Sequence, residues 1–338
     1  MTPRRPSIQP PTHDAPALRA PTAHSTPKIG LALGGGGARG LAHIVMLEAF
    51  DELGVRPSVI AGTSIGAIFG AAYASGVTGK ELRAHTREIL SQRFGLVRDL
   101  FASRAQPFQR FFNPLTARSA FLDAAAVVDV ILPKATKADF SELSIPLKIV
   151  ASAFYEQEQV VFTDGALRTA VAASMALPVI FEPVVRDGRA MIDGGLTNPL
   201  PFDLLIGEAD VVVAIDVSGA PTPDKNRPTP TAFEALFASA FLFEKSIVRE
   251  KLKAVRPDML ISAGTSQFLV LEFLKYDEIL AAAEPAKERF KAQLARLMSV
   301  ETLPQIEAAP LAALEVQHAA PKKTRGLLSR RRNRGKLE

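Results

Sequence analysis

The chain has 338 residues, 47% of them hydrophobic and 22% charged, a composition long and apolar enough to bury a core without a metal or disulfide staple. It has no cysteine, which excludes a disulfide framework, a thiolate nucleophile and a Cys-ligated zinc, and fits a cytoplasmic setting. The formal charge of +5 is uneven: eight Lys and Arg between Lys322 and Lys336 face only Glu338, so the tail carries +7 and the rest −2.

Residues 1–27 are rich in proline, lack apolar periodicity and have no apolar h-region, so a disordered arm is expected there and not a secretory signal. Ile29 to Leu33 is a short apolar run that suits a buried strand, followed by the glycines Gly34 to Gly37. A helix is predicted from Ala38 to Leu53, with Leu41, Val45, Leu47 and Phe50 apolar and Gly54 as its stop. Ser58 to Ala61 reads as a second buried strand, then Gly62-Thr63-Ser64-Ile65-Gly66, then a small-residue helix from Ala67 to Ser75. This alternation predicts an α/β fold, three-layer α/β/α, with a mostly parallel central sheet and crossover helices.

Residues from about 80 to 140 read as mainly helical, with phenylalanines at Phe94, Phe101, Phe108, Phe111, Phe112 and Phe121. That region suits either a helical lid over an apolar channel or plain core packing. Further strands are expected at Leu147 to Ala151, Val160 to Phe162, Ala190 to Asp193, Val211 to Asp216 and Met259 to Ser262. Helices are expected near Ala232 to Val255 and near Tyr276 to Met298. No run reaches the ~18 apolar residues of a spanning helix; the nearest, Ala232 to Phe243, is interrupted by Glu234. The ordered domain is expected to span 28–300, with 301–338 as a flexible basic tail.

Two strand-to-helix junctions carry chemistry. Gly62-x-Ser64-x-Gly66 fits a nucleophile elbow, with a Gly/Ser turn that merely starts a helix as its plain alternative: glycines two positions either side of the serine relieve the crowding of a sharp turn and leave its oxygen exposed. Gly34 to Gly40 can turn backbone N–H groups toward an anion, either a dinucleotide pyrophosphate or the oxyanion of a tetrahedral intermediate. The dinucleotide reading needs an acidic residue at the end of the second strand, and that strand ends in Ala61-Gly62-Thr63-Ser64, so it fails. The oxyanion reading needs a nucleophile nearby, which adjacent parallel strands would supply as Ser64.

A histidine base is poorly supplied. His13 and His24 lie in the arm, His318 near the tail, His43 one turn into the first helix and His85 on an expected surface helix. A carboxylate within hydrogen-bond reach can replace it, and Asp193-Gly194-Gly195, at a strand end, is the best candidate, with an Asp-Gly turn as its plain alternative.

Gly35-Gly36-Gly37-Ala38-Arg39-Gly40, Gly62-Thr63-Ser64-Ile65-Gly66 and Asp193-Gly194-Gly195, in that order, resemble the patatin-like phospholipase family, in its compact bacterial form. Ala173 to Pro178 and the continuation of Asp193 through Asn198-Pro199-Leu200-Pro201 also look like that family, and the resemblance covers roughly residues 28–300. It implies a serine acyl hydrolase (an esterase, phospholipase A or lysophospholipase) that needs neither metal nor organic cofactor. It implies Ser64 as nucleophile, Asp193 as base, and an oxyanion hole from Gly35, Gly36 and Gly37, with backbone N–H groups of Gly36 and Gly37 as donors and Arg39 shaping the loop. The expected partner is a lipid or phospholipid, with no nucleic acid. The tail suits either peripheral contact with an anionic membrane or a solvated extension. A catalytically silent lipid-binding or regulatory relative is the alternative, and intact Ser64, Asp193 and glycine loop argue against it.

Overall fold

The computed structural model describes residues 27–92, 122–219, 229 and 232–300. The arm, the tail and the phenylalanine cluster from Phe94 to Phe121 lie outside them, so the expected lid has no structural account.

Eight strands form one sheet: β1 (Ile29–Leu33), β2 (Val59–Thr63), β3 (Leu147–Ala153), β4 (Glu158–Phe162), β5 (Val184–Arg186), β6 (Arg189–Asp193), β7 (Val211–Asp216) and β8 (Met259–Ser262). The order is β5-β6-β3-β2-β1-β7-β8, with β4 paired to β3 outside that path. β3-β2-β1-β7-β8 are mutually parallel, while β4 and β6 run antiparallel to β3 and β5 antiparallel to β6.

Alternate strand residues feed two separate apolar layers, as the period of two requires. Ile29, Leu31 and Leu33 of β1, Ile60 of β2, and Val213 and Ile215 of β7 face one core; Ala32, Val59, Ala61, Val212 and Ala214 face the other. The larger core is closed by helices α1 (Ala42–Glu52), α2 (Ile65–Ala74), α4 (Ala124–Ile131), α5 (Leu167–Ser174) and α7 (Tyr276–Val300), with α3 (Gly79–Gln92) against α1. The smaller is closed by α6 (Ala232–Ala254) and the 3-10 turn Phe202–Leu205. The result is the three-layer α/β/α arrangement that the alternation of elements predicts.

The expected helix from Ala38 begins instead as a 3-10 turn, Gly37–Leu41, before α1. Its tighter winding lets the chain leave the glycine loop and still bury Ala38, Arg39, Gly40 and Leu41. Helix α5 and strand β5 carry no strong local signal and were not expected. α7 runs through Pro285 without ending.

One detail of pairing positions the site. β4 pairs with Ile149 to Ala153 of β3, so β2 and β6 must share the opposite edge. β2 occupies it up to Thr63↔Val150 and β6 from Asp193↔Ala151. The two strands approach from opposite directions and end on consecutive residues of β3, which abuts the elbow after Thr63 on Asp193.

Candidate active site

Ser64 sits between β2 and α2 with φ 55°, a conformation costly for a residue with a Cβ and common at functional turns. Its O–H donates to Asp193 Oδ2 at 2.7 Å, and its backbone N–H donates to the buried Ser174 Oγ at 2.8 Å. The elbow can be this tight because a Cβ on Gly66 would lie 2.1 Å from the Leu33 carbonyl oxygen, and one on Gly62 2.6 Å from that of Gly66. Only glycine admits both approaches.

Asp193 is 3% exposed. Besides Ser64, its carboxylate accepts the Gly195 N–H at 2.7 Å on Oδ1, while its carbonyl accepts from Ser152 Oγ at 2.8 Å. Burial pushes its carboxyl up to about 6, with the Ser64 and Gly195 hydrogen bonds opposing. A Cβ on Gly194 would fall 2.2 Å from the Val150 carbonyl oxygen, so the turn lies flat on β3.

The glycine loop stands beside the elbow because β1 and β2 pair in parallel, Leu33 opposite Gly62. Gly34 N–H donates to Ile215 O at 3.2 Å, Gly35 N–H to Pro199 O at 2.8 Å and Ala38 N–H to Val270 O at 2.7 Å. Gly35 therefore has no N–H to offer an oxyanion: it anchors the loop and leaves the amides of Gly36 and Gly37, which have no partner among the described residues. Gly37 takes φ 57°, and a Cβ there would strike Val270 O at 2.3 Å. Arg39 is buried behind the loop, its Nε donating to Gly36 O at 3.2 Å and its guanidinium 5.4 Å from the Phe241 ring centre. It does not line the cavity, so it braces the glycine loop from the rear and is not placed to donate into the cavity.

Neither described histidine reaches the serine. His43 is fully buried, and because a carbonyl can only accept, its Nε2–H donates to Gly34 O at 2.8 Å. Burial lowers its pKa to about 4, so the ring is neutral and acts as a prop for the loop. His85 is tied to Ile131 O.

Ser64, Asp193 and Gly35 to Gly37 open on a cavity of about 390 Å³. Ile65 and Ile68 of α2, Val130 of α4, Leu177, Phe181 and Phe241 give it an apolar wall. Its titratable lining residues among those described are Asp193 and Glu244, both acidic. Beyond Asp193, Lys251 of α6 bonds Asn198 Oδ1, Leu200 O at 3.2 Å and Asp203 at 2.6 Å, fixing the segment whose Pro199 carbonyl holds Gly35. Among the described residues no cluster of His, Asp and Glu has metal-ligand geometry, and no helix is long and apolar enough to cross a membrane.

Three contributors were not expected from sequence. Ser174 falls inside the stretch Ala173 to Pro178, and its role as acceptor for the Ser64 amide needs the tertiary structure. His43 was set aside as a base without being seen as a prop. Glu244 left one signal: with Phe241 and Val248 it occupies spacings of three and four on α6, a core-facing stripe in which an acid is out of place.

These features define a serine site at a strand-to-helix elbow of an α/β/α sheet, and residues 31–206 match the family model described as Patatin-like phospholipase. The chain belongs to that family. An uncharacterized NTE family protein of Mycobacterium tuberculosis is 33% identical over 207 residues, 61% of this chain and 53% of that protein. Patatin-like phospholipase domain-containing protein 7 of Rattus norvegicus is 33% identical over 202 residues, 58% of this chain and 14% of that protein. The chain thus matches about half the length of the mycobacterial relative. The crystal structure of VipD from Legionella pneumophila aligns with 80% of this chain and 67% of that one, at 14% identity and a TM-score of 0.44.

Proposed function

We propose that this chain is a serine acyl hydrolase that cleaves fatty acyl esters of lipids, with Ser64 as nucleophile and Asp193 as general base. The observation that carries this reading is the 2.7 Å hydrogen bond from Ser64 Oγ to a buried carboxylate on the floor of an apolar cavity. Asp193 is ionised at neutral pH yet more basic than an ordinary aspartate, as a base for a serine hydroxyl should be.

In this reaction Ser64 Oγ attacks the ester carbonyl and its proton passes to Asp193 Oδ2. The carbonyl oxygen becomes an oxyanion facing the Gly36 and Gly37 amides, an interaction worth roughly 3 kcal/mol per donor in comparable sites. The N-terminal end of α2 adds positive potential. Collapse expels the alcohol, which takes the proton from Asp193 and leaves an acyl ester on Ser64. Asp193 then deprotonates water, which attacks the acyl carbonyl; the fatty acid leaves and Ser64 recovers its proton.

The wall of the cavity selects the substrate class. No described lining residue is cationic, so a buried phosphate would find no partner there and would meet carboxylates. The buried part of the substrate is therefore the acyl chain, and the headgroup stays outside. Phospholipids, lysophospholipids and simple fatty acyl esters share that chemistry. The basic tail is assigned peripheral contact with anionic lipid.

The test is intact mass after incubation with a lipid-like fluorophosphonate. One adduct is expected on the native chain and none on Ser64→Ala, with Asp193→Asn slowed at least ~100-fold. A folded native chain that stays unmodified with and without anionic vesicles overturns the reading.

A further inference from the structure

Glu244 lies on α6, beyond the segment that matches the family, and no step above uses it. It lines the same cavity as Ser64 and Asp193. A Cβ placed on Gly195 would sit 2.7 Å from Glu244 Oε1 and 3.0 Å from Asp193 Oδ1, so the two carboxylates converge on one glycine. They are within about 6 Å of each other, the range in which like charges oppose one another's ionisation. The glycine at 195 is what lets Glu244 approach, since any side chain there would push it away.

The charged groups around Glu244 are few. Asp193 faces it from the end of β6, and Arg39 from the turn after β1. Asp216, at the end of β7, acts on that same arginine. On α6 itself Lys245 and Arg249 are exposed, and Lys251 is committed to Asp203 and Asn198. One buried cation, Arg39, therefore faces Glu244 and Asp216, while Asp193 faces Glu244. Burial first, then the charge of Asp193, pushes the Glu244 carboxyl up to about 8, with Arg39 opposing. Asp193, raised less, ionises first.

We propose that Glu244 is a positioning residue for the acyl transfer, its uncharged carboxyl leaving Asp193 as the single negative group of the cavity, so that ionisation of Glu244 halts the reaction. A second negative charge there would oppose the oxyanion and pull on Arg39, the residue that braces the Gly36 carbonyl. The site then works in a window, opened from below by Asp193 and closed from above by Glu244. This inference rests on the hydrolase reading.

The experiment measures fluorophosphonate labelling rate and melting temperature of the native chain and of Glu244→Gln from pH 5 to 10. The native labelling rate is expected to fall by ~10-fold or more between pH 7 and pH 9. In Glu244→Gln the ratio of the rate at pH 9 to that at pH 7 should rise by the same factor, because the amide keeps the shape and cannot ionise. The melting temperature supplies a readout independent of reaction. Glu244's folded pKa is raised, so its contribution is present below about 4.5 and lost as pH climbs through about 8. The native chain should therefore lose ground to the glutamine variant with rising pH, most at pH 9. A descending limb that survives unchanged in Glu244→Gln overturns the proposal, as does a folded Glu244→Gln that labels at no pH. If Ser64 of the native chain never labels, the hydrolase reading fails separately, and a constant melting gap from pH 5 to 9 would then reject the role of Glu244 too.

Discussion

Ser174→Ala removes one oxygen atom from a residue that does not line the cavity, yet it should damage the site. Ser174 is the last residue of α5 and fully buried, and its Oγ accepts the N–H of Ser64 at 2.8 Å. Without that acceptor the amide of Ser64 is orphaned inside the elbow, at a cost of about 1–3 kcal/mol. The φ of 55° at Ser64 stores a comparable strain, which the hydrogen bond helps to hold in place. Relaxation toward an ordinary backbone angle would swing Oγ off Asp193 Oδ2. Stability and reactivity should fall together. At roughly 2–4 °C per kcal/mol for a domain of this size, the melting temperature should drop by about 2–12 °C. Fluorophosphonate labelling at neutral pH should slow by about 100-fold, the scale expected when a reacting atom is displaced by about 1 Å. Because the bond serves a backbone amide, Ser174→Ala should cost the same within ~0.5 kcal/mol in a Ser64→Ala background. A Ser174→Ala chain that melts within ~1 °C of native and labels at the native rate would refute the claim that this bond holds the elbow.

Two further outcomes follow from the same geometry. Gly66→Ala would place a methyl 2.1 Å from the Leu33 carbonyl oxygen, where only backbone can yield, whereas Gly54→Ala, with nothing within 4 Å, meets only the cost of its positive φ. In urea denaturation Gly66→Ala should lose more than ~3 kcal/mol and Gly54→Ala about 1 kcal/mol; equal midpoints would contradict the packing described. On the proposed mechanism Asp193 sets the acid limb of fluorophosphonate labelling. Its folded pKa is raised from 3.8 to about 6, so its contribution to stability is present below about 3.8 and lost as pH rises through 6. The labelling rate should climb through that interval while stability declines. Asp193→Asn should be more stable than native at pH 7 by roughly 2–4 kcal/mol, the gap closing by pH 4. A gap that does not change with pH would show that the carboxylate is not held at energetic cost.

The residues legible in the sequence are those whose roles impose a local demand. Gly62 and Gly66 flank Ser64 because backbone passes within a Cβ's radius on both sides, and that constraint is met only by a particular residue type at a fixed spacing. The same holds for the glycine loop and for Gly194 against Val150. The strands showed themselves as apolar runs, and their alternation with helices was enough to predict the layers. Donors and props that arrive from elsewhere leave no such trace. The assignment of Gly35 to the oxyanion hole fails because its N–H is spent on Pro199, a residue whose position depends on Lys251 one strand further along the chain. Ser174 looks like any small residue in a helix, and His43 like a core histidine. Glu244 is the instructive case, since its placement depends on a strand register. β6 and β2 end on consecutive residues of β3, which fixes Asp193 against Ser64, and α6 then crosses the Gly194–Leu196 turn with an acid where its apolar stripe should continue. A glutamate at that point, beside Asp193, is pushed toward its neutral form. An acid held toward neutrality beside the base makes sense, on the proposal above, as a limit on when that base can work, and little sense as a contribution to stability.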